Sequence, residues 1–207
     1  MKKLFALMLT MLMVLALCAC GQSKAPAAEK GPTVVGGWTI SEDAALTDEA
    51  RAAFEKAMEG FTGVGYEPLA LIGTQLVSGT NYCILCEARV IMPDAAPYYA
   101  LVYVYADLKG GAEILNIAAL NLGDIAETGE IKAADPASGN LLGGWKLDRE
   151  STVEVDGALL HLASQLVNGT NHCVLCQGGK LVFVYESLDG KTELKSEVPL
   201  DPGALRG

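Results

Sequence analysis

The chain has 207 residues, of which 51% are hydrophobic and only 6% aromatic, and it carries a formal charge of −10. That length allows one or two domains of ordinary size, and the acidic balance excludes partners gripped by a basic surface, nucleic acid above all. Six cysteines are too few for a disulfide scaffold, yet their spacing is ordered.

Lys2 and Lys3 precede the apolar run Leu4 to Cys20, in which Thr10 is the only polar residue. The run falls short of the about 20 residues a membrane span needs and suits a secretory signal. Its end, Leu17-Cys18-Ala19-Cys20-Gly21, resembles a bacterial lipoprotein lipobox. The resemblance implies Ala19 as the small residue before the cut and Cys20 as the lipidated one. Cys18 follows Leu17, which is too large for the small-residue position. An ordinary cleaved signal or an uncleaved anchor are the plainer alternatives. Residues 1–19 are thus expected to be a signal peptide. Residues 20–35 are expected to be a lipidated tether, its stretch GQSKAPAAEKGPTVV being small, polar and proline-containing. The protein would then be extracytoplasmic, its membrane contact made by acyl chains at about 0.8 kcal/mol per buried CH₂. Removal of residues 1–19 takes away two lysines and no acid, which moves the charge from −10 to −12.

The remainder is organised by an internal repeat. Gln75 to Cys86 reads QLVSGTNYCILC and Gln165 to Cys176 reads QLVNGTNHCVLC, and Gly36-Gly37-Trp38 returns as Gly143-Gly144-Trp145. The spacing from Trp38 to Gln75 is 37 residues and from Trp145 to Gln165 only 20. Within that extra length, Thr47 to Gly60 places Ala50, Ala53, Phe54, Ala57 and Met58 on an amphipathic helical stripe. Thr47 is a fitting N-cap, Asp48 and Glu49 sit at the positive end of the dipole, and Gly60 is a stop. The second copy is expected to lack this helix.

Strands follow in chain order: Tyr66 to Val77, Asn81 to Ile91, Tyr98 to Leu108 and Glu113 to Leu122, with turns at Ser78-Gly79 and Lys109-Gly110-Gly111. The acidic, Ala/Gly/Pro-containing stretch within residues 123–142 reads as a linker. The second copy supplies strands over Thr152 to Val167, Thr170 to Cys176, Leu181 to Glu186 and Thr192 to Pro199. Strands such as Leu101 to Tyr105 are apolar on both faces, which predicts burial from two sides. The short second copy is near the lower limit for a core of its own. The expected class is therefore α+β: one helix packed on an antiparallel sheet (36–122), with a helix-poor antiparallel repeat (143–207) packed against it. Trp38 and Trp145 read as aromatic plugs of that core.

Gln75-Leu76-Val77-Ser78-Gly79, continued Thr80-Asn81-Tyr82, resembles the first inhibitory hairpin of the cystatin superfamily, Gln-x-Val-x-Gly, and the order glycine, helix, sheet is also that of the family. The resemblance implies a cystatin-like domain that binds a protein partner by occlusion, wedging hairpins into the cleft of a papain-like cysteine protease without chemistry of its own. The wedge would consist of Gly36 and Gly37, of Gln75, Leu76, Val77, Ser78 and Gly79, and of the second turn at Lys109 and Gly110. Many members carry Pro-Trp at that second turn, and this chain has Lys109-Gly110-Gly111. The alternatives are a non-inhibitory binding or scaffold module, in which Gln75 to Gly79 is a plain turn, and a Cys₄ metal or redox protein.

Cys83 and Cys86 form one Cys-x-x-Cys pair and Cys173 and Cys176 another. Each pair lies inside a predicted strand, where residues three apart point to opposite faces about 10 Å apart, too far for a bridge within the pair. Bridges to neighbouring strands or between the two repeats, free buried thiols, and a bulge aiming all four at zinc stay open. No hydrolase signature, paired-acid spacing or phosphate loop is present, so neither enzyme activity nor a cofactor is expected. His161 and His172 show no obvious partners, and His172 reads as a solvated strand residue.

Overall fold

The computed structural model describes residues 37–135, 141 and 144–205. The expected signal, tether and lipidated Cys20, together with Gly36 and Gly143, lie outside the described residues. The described residues fall in one compact unit.

In the first repeat, β1 (Trp38–Ile40) precedes helix α1 (Asp48–Ala57), which is followed by β2 (Val64–Val77), β3 (Gly79–Val90), β4 (Tyr98–Asp107) and β5 (Ala112–Leu120). Within residues 123–142, read from the sequence as a linker, the chain forms most of helix α2 (Leu122–Thr128) and the short β6 (Ala133–Ala134). The second repeat contributes β7 (Lys146–Leu147), β8 (Ala158–Val167), β9 (Gly169–Cys176), β10 (Lys180–Glu186) and β11 (Thr192–Pro199). All pairings are antiparallel. One sheet runs β1-β2-β3-β4-β5-β6 and is curled into a half-barrel, and the other runs β11-β10-β9-β8-β7.

The α+β, helix-on-sheet class expected from the sequence is overturned. Strands make up 51% of the described residues and helices 10%, in two short segments. The largest core is shared by both sheets: Ile72, Leu85 and Leu101 of the first pack in one cluster with Leu162, Leu175 and Leu181 of the second. Tyr99, fully buried, donates its hydroxyl to the Leu162 carbonyl at 2.7 Å and ties one sheet to the other. The helix is a cover and not a layer. Its Ala50, Ala53 and Phe54 bury a separate, smaller cluster with Leu71, Ile84, Cys86, Val102 and Val104 on the outer face of the first sheet. Thr47 caps α1 by accepting from the Ala50 N–H at 3.2 Å.

The outer face of the second sheet has no helix on it. Residues 148–157, of which 152–157 were expected to be strand, cross it as a turn-rich segment whose Val153 and Val155 lie on Val174, Cys176, Val182 and Val184. Each tryptophan meets an aromatic residue edge-on within its own sheet, Trp38 on Tyr103 and Trp145 on Phe183. Each is also covered by the segment that follows the last strand of the other repeat. Gly203 lies against Trp38, and Leu122 and Ile125 at α2 share a core with Trp145.

Candidate functional site

The first-sheet tip gathers most of the wedge residues that the sequence singles out. Trp38, next to Gly37, pairs with Gln75 at the start of β1. The β2–β3 turn brings Val77 opposite Gly79, and Gly79 in turn pairs with Asp107, the last residue before the β4–β5 turn. Gly37, the residues from Gln75 to Gly79, and Lys109 with Gly110 therefore sit at one end of the sheet. Gly36 lies outside the described residues.

These residues divide into two kinds. Gln75 is buried and its Oε1 accepts from Asn81 Nδ2 at 2.7 Å across the hairpin. Its amide faces the core and not a partner. Gly79 has φ of 144°, and a Cβ there would meet the Ala106 carbonyl and lie 2.8 Å from the Tyr105 ring, so only glycine lets β4 approach the turn. Tyr105 closes over the turn by donating to the Ser78 carbonyl at 2.7 Å. In the neighbouring turn, Asp107 Oδ1 accepts from the Lys109 and Gly111 amides at 2.6 and 3.0 Å. These backbone donors, Gly111 foremost, hold its carboxyl below the ordinary range. Leu76, Val77 and Leu108, in contrast, project outward at 47%, 40% and 86% exposure.

The second repeat rebuilds the same arrangement. Asn171 donates to Gln165 at 2.9 Å, and Gly169 has φ of 123° under the Tyr185 ring. The Tyr185 hydroxyl donates to the Asn168 carbonyl, and Ser187 replaces Asp107 in bracing the β10–β11 turn, where its Oγ accepts from the Lys191 amide at 3.2 Å. Leu166, Val167 and Leu188 stand out at 87%, 48% and 83% exposure. The repeated Gln, Gly, Asn and Tyr are thus explained by tip construction, whereas the repeated Leu-Val and Leu are not.

The four strand cysteines are free and buried. Cys83 and Cys173 lie in the core between the sheets, and Cys86 and Cys176 lie in the two separate outer clusters. They do not converge. Among the described residues no group of three or more His, Cys, Asp or Glu side chains is arranged to hold a metal ion. Burial pushes the Cys83 thiol up to about 12 and raises Cys86, Cys173 and Cys176 as well, which leaves them inert as nucleophiles.

Sequence reasoning missed a polar string on the outer face of the second sheet. His172 is 4% exposed and His161 8%, so the reading of His172 as a solvated residue is overturned. His161 Nδ1 meets the Asp148 carbonyl, His161 Nε2 is 2.9 Å from His172 Nδ1, and His172 Nε2 is 3.1 Å from Glu186 Oε2. A bulge in β8 between His161 and Ala163 shifts the register and brings the first ring beside the second. The Asp148 carboxylate accepts from Ser151 Oγ at 2.5 Å, Ser151 N at 3.0 Å and Ser164 Oγ at 3.0 Å. Ser151 above all lowers its pKa to about 2, against a raising effect of burial.

No family model and no curated protein matches this chain. The cystatin resemblance therefore stands on the residues quoted for it.

Proposed function

We propose that this chain is a protein-binding module that engages its partner through the apolar hairpin tip of the first sheet. In its most concrete form it occludes the cleft of a papain-like cysteine protease. The observation that carries the reading is the exposure of Leu76, Val77 and Leu108 at one end of the first sheet, on a tip braced by the Gln75–Asn81 and Tyr105–Ser78 hydrogen bonds. Large apolar side chains held outward on a rigid support lose little conformational entropy when a partner covers them. The short β4–β5 turn, fixed by Asp107, keeps Leu108 at the same end of the sheet, one position beyond the Gly79–Asp107 pairing. Lipidation at Cys20 would tether the module at the outer side of a membrane, and no helix among the described residues is long and apolar enough to cross one.

A non-inhibitory binding role is favoured by one observation: Gln75 of the Gln-x-Val-x-Gly pattern is engaged with Asn81 and is not offered to a cleft. Titration against a panel of papain-like proteases separates the two. Inhibition that is lost in Leu76→Asp/Leu108→Asp, with unfolding unchanged, supports occlusion. No inhibition at high micromolar concentration by the folded protein discards it and leaves the non-inhibitory role. For the tether, incorporation of labelled palmitate that disappears in Cys20→Ser is the expected result.

A further inference from the structure

Helix α1 covers the outer face of the first sheet over Leu71, with Tyr82 and Ala106 packed alongside. Counted from the matching turns, the same three places in the second repeat are held by His161, His172 and Glu186. Where the helix has been lost, apolar contacts have thus been replaced by a titratable string. It starts at Glu186, whose side chain is 37% exposed, passes through the two buried rings, and ends on the backbone of Asp148, the first residue of the covering segment.

We infer that His161, His172 and Glu186 form a proton-operated latch that holds residues 149–157 over the outer face of the second sheet and releases them on acidification. The hydrogens of the string decide its charge. A backbone carbonyl can only accept, so His161 Nδ1 carries the hydrogen shared with Asp148. His161 Nε2 is then bare and accepts from His172 Nδ1–H. His172 Nε2 faces a carboxylate oxygen at 3.1 Å, and a hydrogen bond there needs one proton beyond those of two neutral imidazoles and an ionised Glu186. With that single proton the string is complete and its net charge is zero. A second proton changes the sign of the interaction. It places hydrogens on both His161 Nε2 and His172 Nδ1, two donors pointed at each other across 2.9 Å between two positive rings.

The rings must then part. The contact that yields is the one from His161 to the Asp148 carbonyl, because the strand residues are held by the β8–β9 and β9–β10 pairings. What it frees is the chain after Asp148, which itself stays on β8 through its N–H to the Leu162 carbonyl and its carboxylate to Ser164 Oγ. The titratable groups facing the rings are Asp148 from the covering segment and Glu186 from β10. Their neighbours on this face of β8 and β9, Ser164 and Val174, are uncharged, Glu150, Glu154 and Asp156 of the segment are exposed, and Arg149 is engaged with Glu67 and Glu87 of the first sheet. Release uncovers Val174, Cys176, Val182 and Val184, now under Val153 and Val155.

The repeat supplies its own control, since His161→Leu/His172→Tyr/Glu186→Ala installs the residues of the first copy. In the full chain, imidazole ¹⁵N shifts should show His161 as the Nδ1–H tautomer, its Nε2 accepting from His172 Nδ1–H. Between pH 7 and 5, amide exchange over 149–157, corrected for intrinsic rates, should accelerate at least tenfold, and the melting temperature should fall by on the order of 5 °C. The triple variant should show neither change. An equal pH response in wild type and variant, or two rings that titrate independently with no change in exchange over 149–157, overturns the latch. If the variant does not fold, the ring shifts and wild-type exchange still decide.

Discussion

The first repeat protects the outer face of its sheet with a capped helix that buries Phe54, Ala50 and Ala53. The second protects the same face with ten residues of irregular chain held by Asp148, two histidines, two partly buried valines and the Arg149 ion pairs to Glu67 and Glu87. At their tips the repeats barely differ: glycine, glutamine, asparagine and tyrosine keep the same contacts, and leucines at matching places stay exposed. The contrast teaches that the tip and the inner face are the constrained parts of this architecture, and that the outer cover is replaceable. A helix gives an apolar and pH-insensitive cover, while the segment that replaces it depends on charge.

The sharpest way to break this comparison is to weaken each cover. Phe54→Ala should cost about 3–5 kcal/mol, because a buried aromatic leaves a cavity under α1. Val155→Ala, at a partly buried site, should cost about 1 kcal/mol or less. Urea unfolding of the two variants measures the difference, and equal costs would show that the covers are energetically equivalent. The tips are expected to behave in the opposite way. Gly79→Ala and Gly169→Ala should each cost roughly 3 kcal/mol, from a left-handed backbone and a Cβ pressed into the carbonyl of the adjacent strand. A cost below 1 kcal/mol at either position would mean that its tip is not locked. For the same reason neither glycine is suited as a surface probe of binding.

The helix α1 and the long strands were legible in the sequence, whereas α2 and β6, in the stretch that reads as a linker, were not. The spacing of Ala50, Ala53 and Phe54 announces α1, and the turn dipeptides bound β2 to β5 and β9 to β11 within a few residues. Class was not legible, because an amphipathic stripe reads the same whether a helix is a main layer or a patch on the outside of a two-sheet core. Gln75 was read as a contact residue. Counting outward from the Ser78 turn places it opposite Asn81, and that pairing of two amides was the available signal for an inward role. The histidine pair had no such signal: without the bulge in β8, His161 falls opposite a different residue and on the wrong register to reach His172. Bulges, and the segment over 148–157, arise from packing that no local pattern in the chain encodes.

Asp148 sharpens the comparison by pH. Its folded pKa of about 2 lies below the ordinary 3.8, so the stability it contributes is present above about pH 4 and is lost as pH falls toward 2. The group is partly hydrated, so the contribution is about 1 kcal/mol once solvent screening is allowed for. Melting of wild type and Asp148→Asn should differ at pH 5 and converge near pH 2. This window lies below the one in which the histidine latch opens, so the two effects are separable in one titration. The first repeat has Ser41 at the position of Asp148, donating its backbone N–H to Ile72 at 2.9 Å as Asp148 does to Leu162 at 3.0 Å. A Ser41→Ala variant should therefore show no such convergence.

The smallest expected effect on stability concerns the residues most exposed to a partner. Leu108→Asp and Leu188→Asp should each change unfolding free energy by no more than about 0.5 kcal/mol, since these side chains bury little in the folded chain. Exposed apolar residues scattered singly need no explanation. Here the same chemistry returns at the same place in two copies whose outer faces have otherwise diverged, Leu-Val before the first turn and Leu at the start of the second. If the leucines serve binding, the two substitutions will leave folding intact and act on the partner unequally, because the first turn is braced by the Asp107 side chain and the second by Ser187. Equal losses would make the tips interchangeable contact points. A cost above 2 kcal/mol in unfolding would instead show that the leucines are structural, and the exposed tip would no longer argue for a partner.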